Sequence, residues 1–197
     1  MKLVAKITRK YYKREVVEYP EGIVVFESGN AGSYSITIEK NATIHLDMCG
    51  GGGNGYNPSW FSLRTGGSGA YIYGDTDIEK GTYTVIVGAN GGNSSFLDNI
   101  AGGGGHAGSS NGAGGIATVV SSGLTGSNGS AGSTTSRIAN RGGGHQGNGA
   151  GQVGYVKIVI LSEETITPGT AEDYDFYEDI STISAVVNNN KLYAFDR

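Results

Sequence analysis

Very little in this chain is able to cross-link or stiffen it. Cysteine occurs once, at Cys49, so no disulfide forms within the chain, and the composition suits synthesis in a reducing cytosol. Proline occurs three times, at Pro20, Pro58 and Pro168, which excludes a collagen-like triple helix. Charged residues make up 16% and apolar residues 37%, both below the usual globular share. No apolar run approaches membrane-spanning length, and residues 1–10 hold no stretch suited to a signal peptide, so ordinary secretion is not expected. The net charge of −4 gives no general reason to expect nucleic acid or an anionic membrane as partner. Capped helical periodicity is missing nearly everywhere, and residues 171–180 form the single candidate helix.

What fills the chain instead is glycine. Of 36 glycines, 32 fall between Gly50 and Gly154, and many recur at intervals of three: Gly123/Gly126/Gly129/Gly132, Gly102/Gly105/Gly108, Gly66/Gly69, Gly112/Gly115 and Gly151/Gly154. Three residues per turn is the period of the left-handed polyproline II helix, so this spacing leaves one edge without side chains. Two solutions fit: a flexible tract, or a bundle of polyglycine II helices packed backbone to backbone. Ordering glycine costs roughly 0.5–1 kcal/mol more than ordering alanine. An ordered block must recover this through inter-helix N–H···O bonds worth about 1 kcal/mol each, with weaker Cα–H···O contacts added. The flanking sequence favours order, because Val/Ile-rich strands at both ends and in the middle of the block must bury a face, and a solvated linker has no need of them.

Strands are predicted over 3–7 and 23–26, then over 33–39 and 42–48, where period-two alternation around Lys40-Asn41 reads as a hairpin. Residues 70–73 and 82–87 read as strands flanking a polar connection at 74–81, residues 116–120 as a strand within the glycine tract, and 155–161 as the closing strand. The expected fold is all-β: short antiparallel strands framing a central bundle of polyglycine II helices, with β docking segments at the termini. The expected organisation is an N-terminal β attachment segment over 1–29, a glycine-rich domain over 30–161, and an acidic linker with a C-terminal hairpin over 162–197.

The terminal segments carry opposite charge. Residues 1–20 hold six Lys/Arg against two acids, and residues 162–197 hold eight acids against Lys191 and Arg197. These charges can pair within one chain or between chains of an assembly; a solvated acidic face is the plainer account of the acids alone.

Catalytic signatures are lacking. No Gly-Lys-Ser/Thr follows any glycine run, so a phosphate loop is not expected. The sequence from Asp75 through Asp77 and Glu79 has the opening of a calcium loop, but Ile86 stands where the bidentate Glu belongs, and a solvated turn accounts for it better. His106 and His145 share the context Gly-Gly-Gly-His-x-Gly and offer a metal pair across adjacent helices, though decoration of an outward face is the simpler reading. No cofactor is expected, and Cys49 reads as a small buried residue at a strand end.

Binding is expected where the glycine runs break. Residues 54–65 contain Tyr56, Trp60, Phe61 and Arg64, types that dominate recognition hot spots. The alternative is that Trp60 and Phe61 pack down as a cap over the bundle. Residues 94–100, with Phe96, and 133–141, with Arg137 and Arg141, are further candidates, and antiparallel glycine helices would bring all three stretches to one end.

The order of strand, glycine run, Gly66-Gly-Ser-Gly-Ala-Tyr-Ile-Tyr73, Gly81-Thr-Tyr-Thr-Val-Ile-Val-Gly88, further glycine runs and Gly154-Tyr-Val-Lys-Ile-Val-Ile160 resembles the glycine-rich domain of bacteriophage tail-fibre tips and related surface proteins, over about residues 30–161. The resemblance implies a stack of polyglycine II helices whose loops form a receptor-binding tip. It implies a virion protein without enzymatic activity, made in the host cytoplasm, that meets a bacterial surface receptor (a glycan or an outer-surface protein) and other virion or fibre proteins through its termini. Similar glycine-rich domains occur in animal receptor ectodomains, and a polyglycine bundle in an insect antifreeze protein, so fold alone does not name the function. The alternatives are a head-fibre, decoration or minor tail protein using the block as a spacer, and, further off, an ice-binding protein, which would need a regular Thr/Ser face.

Overall fold

Period-two alternation sorts the side chains onto two faces, and the buried set is drawn from two different sheets. The computed structural model describes residues 2–59, 62–178, 186–188 and 191–193, with side chains described over 13–59 and 62–166. The strands in chain order are β1 (Lys2–Ser28), β2 (Gly32–Ile38), β3 (Ala42–Cys49), β4 (Tyr71–Ile78), β5 (Gly81–Val87), β6 (Ser94–Phe96), β7 (Asn99–Ala101), β8 (Ala117–Thr118), β9 (Leu124–Ser127), β10 (Tyr155–Glu178), β11 (Val186–Asn188) and β12 (Lys191–Tyr193). Two antiparallel five-stranded sheets result, with orders β1-β10-β3-β4-β9 (sheet A) and β2-β5-β6-β7-β8 (sheet B). No helix occurs among the described residues.

Ile44, Leu46 and Met48 of β3, Ile72 of β4, and Val156 and Ile158 of β10 form the inner face of sheet A. Ile36 and Ile38 of β2, Val85 and Val87 of β5, and Phe96 of β6 cover them from sheet B, and all belong to one buried cluster. Residue contacts divide the chain into a unit over Val16–Thr165, which contains this core, and a second unit of Met1–Glu15 with Ile166–Arg197. β1 and β10 are hydrogen-bonded neighbours in sheet A. The two oppositely charged terminal stretches therefore include neighbouring strands of one chain. β11 pairs antiparallel with β12, Val186 opposite Tyr193; the remainder of the hairpin expected near the C-terminus lies outside the described residues.

Three expectations are corrected. Residues 33–39 and 42–48 do not form a hairpin: β2 pairs with β5, and β3 pairs with β10 and β4. Their apolar residues face each other across the core, so Lys40-Asn41 is a corner between sheets. The polar stretch at 74–81 is mostly strand, since β4 continues through Ile78, with Ala42 opposite Ile78 and Thr43 opposite Asp77. Its alternating Thr76 and Ile78 are buried while Asp75 and Asp77 face solvent, and pairing with β3 overrides the low β propensity of Asp and Gly. Residues 171–178 belong to β10 and are not helical.

Beyond the sheets, β3 runs directly into segment 50–55, β5 into 88–92, β7 into 102–107 and β9 into 128–133. Segments 65–70, 112–116 and 149–154 lead into β4, β8 and β10. These stretches lie outside the ladders but are cross-linked through their main chains. Gly50 and Gly53 donate to Ala70 and Gly67 at 3.0 and 2.8 Å; Gly52 and Gly55 donate to Gln152 and Gly149 at 2.7 and 3.0 Å; Gly51 donates to Gly92 at 2.9 Å. Segment 65–70 behaves likewise. Gly66 and Gly69 donate to His145 and Gly142, Gly67 and Ala70 to Gly105 and Gly102, and Ser68 to Ser130. Residues three apart thus share one neighbouring segment, and the intervening ones turn to others.

Close approach explains the composition. A Cβ at Gly50, Gly51, Gly52, Gly53, Gly67, Gly104 or Gly151 would come closer than 3.0 Å to a main-chain atom of another segment. Gly108, on the break between two segments, has nothing within 4 Å of such a Cβ. Gly104→Ala is therefore expected to lower stability by about 1–3 kcal/mol. Gly108→Ala is expected to stay within about 1 kcal/mol of the parent, with any gain coming from the unfolded chain. Urea midpoints of the two variants measure the contrast.

Candidate functional site

Segment 50–55 leaves β3 and segment 65–70 returns to β4, so the loop joining them sits at the end of the glycine segments away from the sheets. Its base is closed by a reciprocal main-chain pair, in which the Tyr56 N–H donates to the Arg64 carbonyl at 3.0 Å and the Arg64 N–H to the Tyr56 carbonyl at 2.8 Å. Two other breaks in the glycine runs fasten to it. The Asn57 N–H donates to Asn148 Oδ1 at 2.8 Å, the Thr65 N–H to Asn111 Oδ1 at 3.0 Å, and the Gly147 N–H to the Arg64 carbonyl at 3.2 Å. Loops near residues 111 and 148 therefore share this end with loop 54–65.

Within the loop, Tyr56 is exposed and Arg64 is half-buried. Arg64 Nε and Asn57 Oδ1 are buried and have no hydrogen-bond partner among the described residues. A buried donor or acceptor left unpaired costs about 1–3 kcal/mol, and native proteins keep few of them. Trp60 and Phe61 lie outside the described residues.

The other expected site residues do not converge here. Phe96 is 1% exposed and packs edge-on against Tyr83 in the core, so its ring is not presented to a partner. The turn after it uses Leu97 and Asp98 at φ 50° and 59°, a positive-φ pair that suits the twist of a tight hairpin. Asn99 fixes that turn by donating to the carbonyls of Phe96 and Leu97 at 3.1 and 3.0 Å. Arg137 is exposed and lies over the Tyr71 ring, 5.9 Å from its centroid. Arg141 is half-buried and donates to the Gly29 carbonyl at 2.9 Å, where the glycine segments meet the sheets. The connections near residues 111 and 148 share the end of loop 54–65, whereas stretch 133–141 closes with Arg141 beside Gly29. The asparagines that fasten the loop end, Asn111 and Asn148, carry no sequence signal beyond lying at breaks in the glycine runs.

His106 and His145 both meet segment 50–55. His106 Nδ1 accepts from the Asn54 N–H at 2.8 Å, while His145 donates its main-chain N–H to the Gly53 carbonyl at 3.1 Å. The His145 ring lies against Gly149, where a Cβ would strike it. Among the described residues no group of three or more His, Cys, Asp or Glu is arranged to hold a metal ion. No helix among the described residues is long and apolar enough to cross a membrane.

Cys49, at the end of β3, is 2% exposed, and burial pushes its thiol up to about 12. Burial, and then donation of the hydroxyl to Asp47 at 2.6 Å, raises Tyr71; burial, and then donation to Glu27 at 2.7 Å, raises Tyr155. Comparison with known proteins finds no matching family model, no matching curated protein and no matching solved structure.

All three groups hold their protons more tightly in the folded chain than in the unfolded one. The stability they contribute is complete below the ordinary thiol value of 9.0 and is lost as pH climbs past it and past the ordinary phenol value of 10.0. The urea midpoint is expected to fall progressively above pH 9.0. A thiol reagent at neutral pH is expected to label Cys49 in denaturant and spare it in the native protein.

Proposed function

We propose that the glycine segments form a bundle of polyglycine II helices, and that the chain is a non-enzymatic bacteriophage virion protein, a tail-fibre or fibre-tip adhesin. On this reading loop 54–65, at the end of the bundle, contacts a receptor on the bacterial surface, and the terminal segments contact other virion proteins. The observation that carries the reading is the three-residue repeat of donor direction: Gly50/Gly53 toward one neighbour, Gly52/Gly55 toward a second, Gly51 toward a third. A strand directs its donors to two sides and an α-helix directs them within itself, whereas a threefold helix offers three edges. A scaffold bonded in this way holds its loops still before contact, which reduces the entropy lost on binding. Arg64 Nε and Asn57 Oδ1, buried and without a partner among the described residues, leave a donor and an acceptor unused within the loop.

Amide exchange tests the scaffold. The N–H groups of Gly67, Gly102 and Gly105, each bonded to another segment, are expected to be as protected as core-strand amides. Exchange at random-coil rates would overturn the bundle. For the loop, the double variant Trp60→Ser/Phe61→Ser is expected to keep the parental melting temperature and lose about tenfold or more in adsorption of the isolated protein to host cells.

The same repeat suits a structural role, in which the block is a rigid spacer of a head fibre, decoration or minor tail protein. Failure of the parental chain to adhere to any host cell would favour that reading over the adhesin. Thermal hysteresis would mark the ice-binding alternative, for which the exposed Thr37, Thr82 and Thr84 of sheet B are the relevant residues.

A further inference from the structure

The outward face of sheet A carries chemistry that loop 54–65 does not use. β4 places Tyr71, Tyr73, Asp75 and Asp77 on this face, and β3 places His45 and Asp47 beside them, with Asp47 opposite Tyr73 and His45 opposite Asp75. The rings of Tyr71 and Tyr73 stack at a centroid distance of 5.2 Å and an interplanar angle of 21°. Tyr71 is pinned from two directions, by the Arg137 guanidinium over its ring and by donation of its hydroxyl to Asp47 Oδ1. Tyr73 is the open member: it is 37% exposed, and its hydroxyl has no partner among the described residues. His45 ties the two flanking carboxylates together, with Nδ1 2.5 Å from Asp75 Oδ1 and Nε2 3.6 Å from Asp47 Oδ2.

We propose that this face, centred on Tyr73 and rimmed by Asp47, His45 and Asp75, is a second binding site and that its ligand is a neutral saccharide. A pyranose has an apolar C–H face and a rim of hydroxyls. The electron-rich face of a tyrosine ring attracts polarised C–H groups. Ionised carboxylates are acceptors only, each with about four lone-pair positions, and a ligand that presents several O–H donors around an apolar face matches them. The side chains stand on paired strands and are held by one another, so little ordering remains for the ligand to impose.

Competing ligands fit less well. The carboxylates of Asp47, Asp75 and Asp77 outnumber the cations of this face, Arg137 over Tyr71 and Lys157 opposite Asp47, which disfavours a phosphate backbone or an acidic sugar. A purely apolar partner would strip water from those carboxylates without replacing its hydrogen bonds. The site lies on the sheet rather than at the loop end and stands independently of the adhesin reading.

Saturation-transfer NMR and calorimetric titration of the full chain with glucose, galactose and mannose oligosaccharides test the site. At least one of these is expected to bind and to perturb the Tyr73 ring resonances. Tyr73→Ala is expected to weaken that binding about tenfold or more, with Tyr73→Phe retaining most of it and Asp75→Asn weakening it in part. Trp60→Ser/Phe61→Ser is expected to leave it unchanged, while circular dichroism verifies that each variant is folded. Absence of binding to all three sugars, or binding that survives Tyr73→Ala, overturns the site. Loss of cell adsorption in the loop variant alone would then leave the adhesin reading intact, whereas saccharide binding by a chain that adheres to no host cell would sustain the site without it.

Discussion

Main-chain amides donating across from one glycine segment to the next are the constraint on which the rest of the Val16–Thr165 unit depends. Because residues 50 to 53 turn successively to different neighbours, no single segment is bonded without the others, and segments 50–55 and 65–70 lie where most of these bonds meet. Removing every side chain from an edge is a severe condition on sequence. It accounts for the concentration of glycine between residues 50 and 154, and for the way the non-glycine residues collect at breaks such as 54–65. Serine and alanine occur within the segments, at Ser68, Ala70 and Ala113, where a small side chain is accommodated.

The sandwich supplies what glycine cannot, a hydrophobic core. Leu46, Met48, Ile72 and Val156 are fully buried between the sheets, and their strands continue into the bonded segments without an intervening loop. The apolar cluster and the main-chain network therefore share the same polypeptide rods. At the junction, Cys49 is enclosed and Arg141 reaches the Gly29 carbonyl.

Much of this was legible in the residues. Alternation over 33–39 and 42–48 separates inward- from outward-facing side chains, and Ile36, Ile38, Ile44, Leu46 and Met48 are in the core, while 82–87 and 155–160 are legible as strands without their inward set. Glycine spacing of three anticipates the repeat of bonding partners. Pairing was not legible, because alternation states which side chains face inward and is silent on which strand lies alongside. Two neighbouring alternating stretches joined by Lys40-Asn41 look the same whether they lie side by side or in opposite sheets. Phe96 illustrates the same gap: in a polar stretch it reads as a loop aromatic, yet the positive-φ turn at Leu97-Asp98 folds it inward. The Tyr73 face was hidden for a related reason. Its tyrosines and aspartates follow one another at intervals of two along β4, but His45 and Asp47 join them only through the register of β3.

Direct continuation of β3, β4 and β10 into segments 50–55, 65–70 and 149–154 also has a mechanical side. The cross-links join neighbouring segments and recur along their length. Tension applied along the rods at their outer end would load many of these links together in shear, whereas a sideways pull would open them one after another. Stiffness in this unit is thus directional, greatest along the axis on which loop 54–65 is carried.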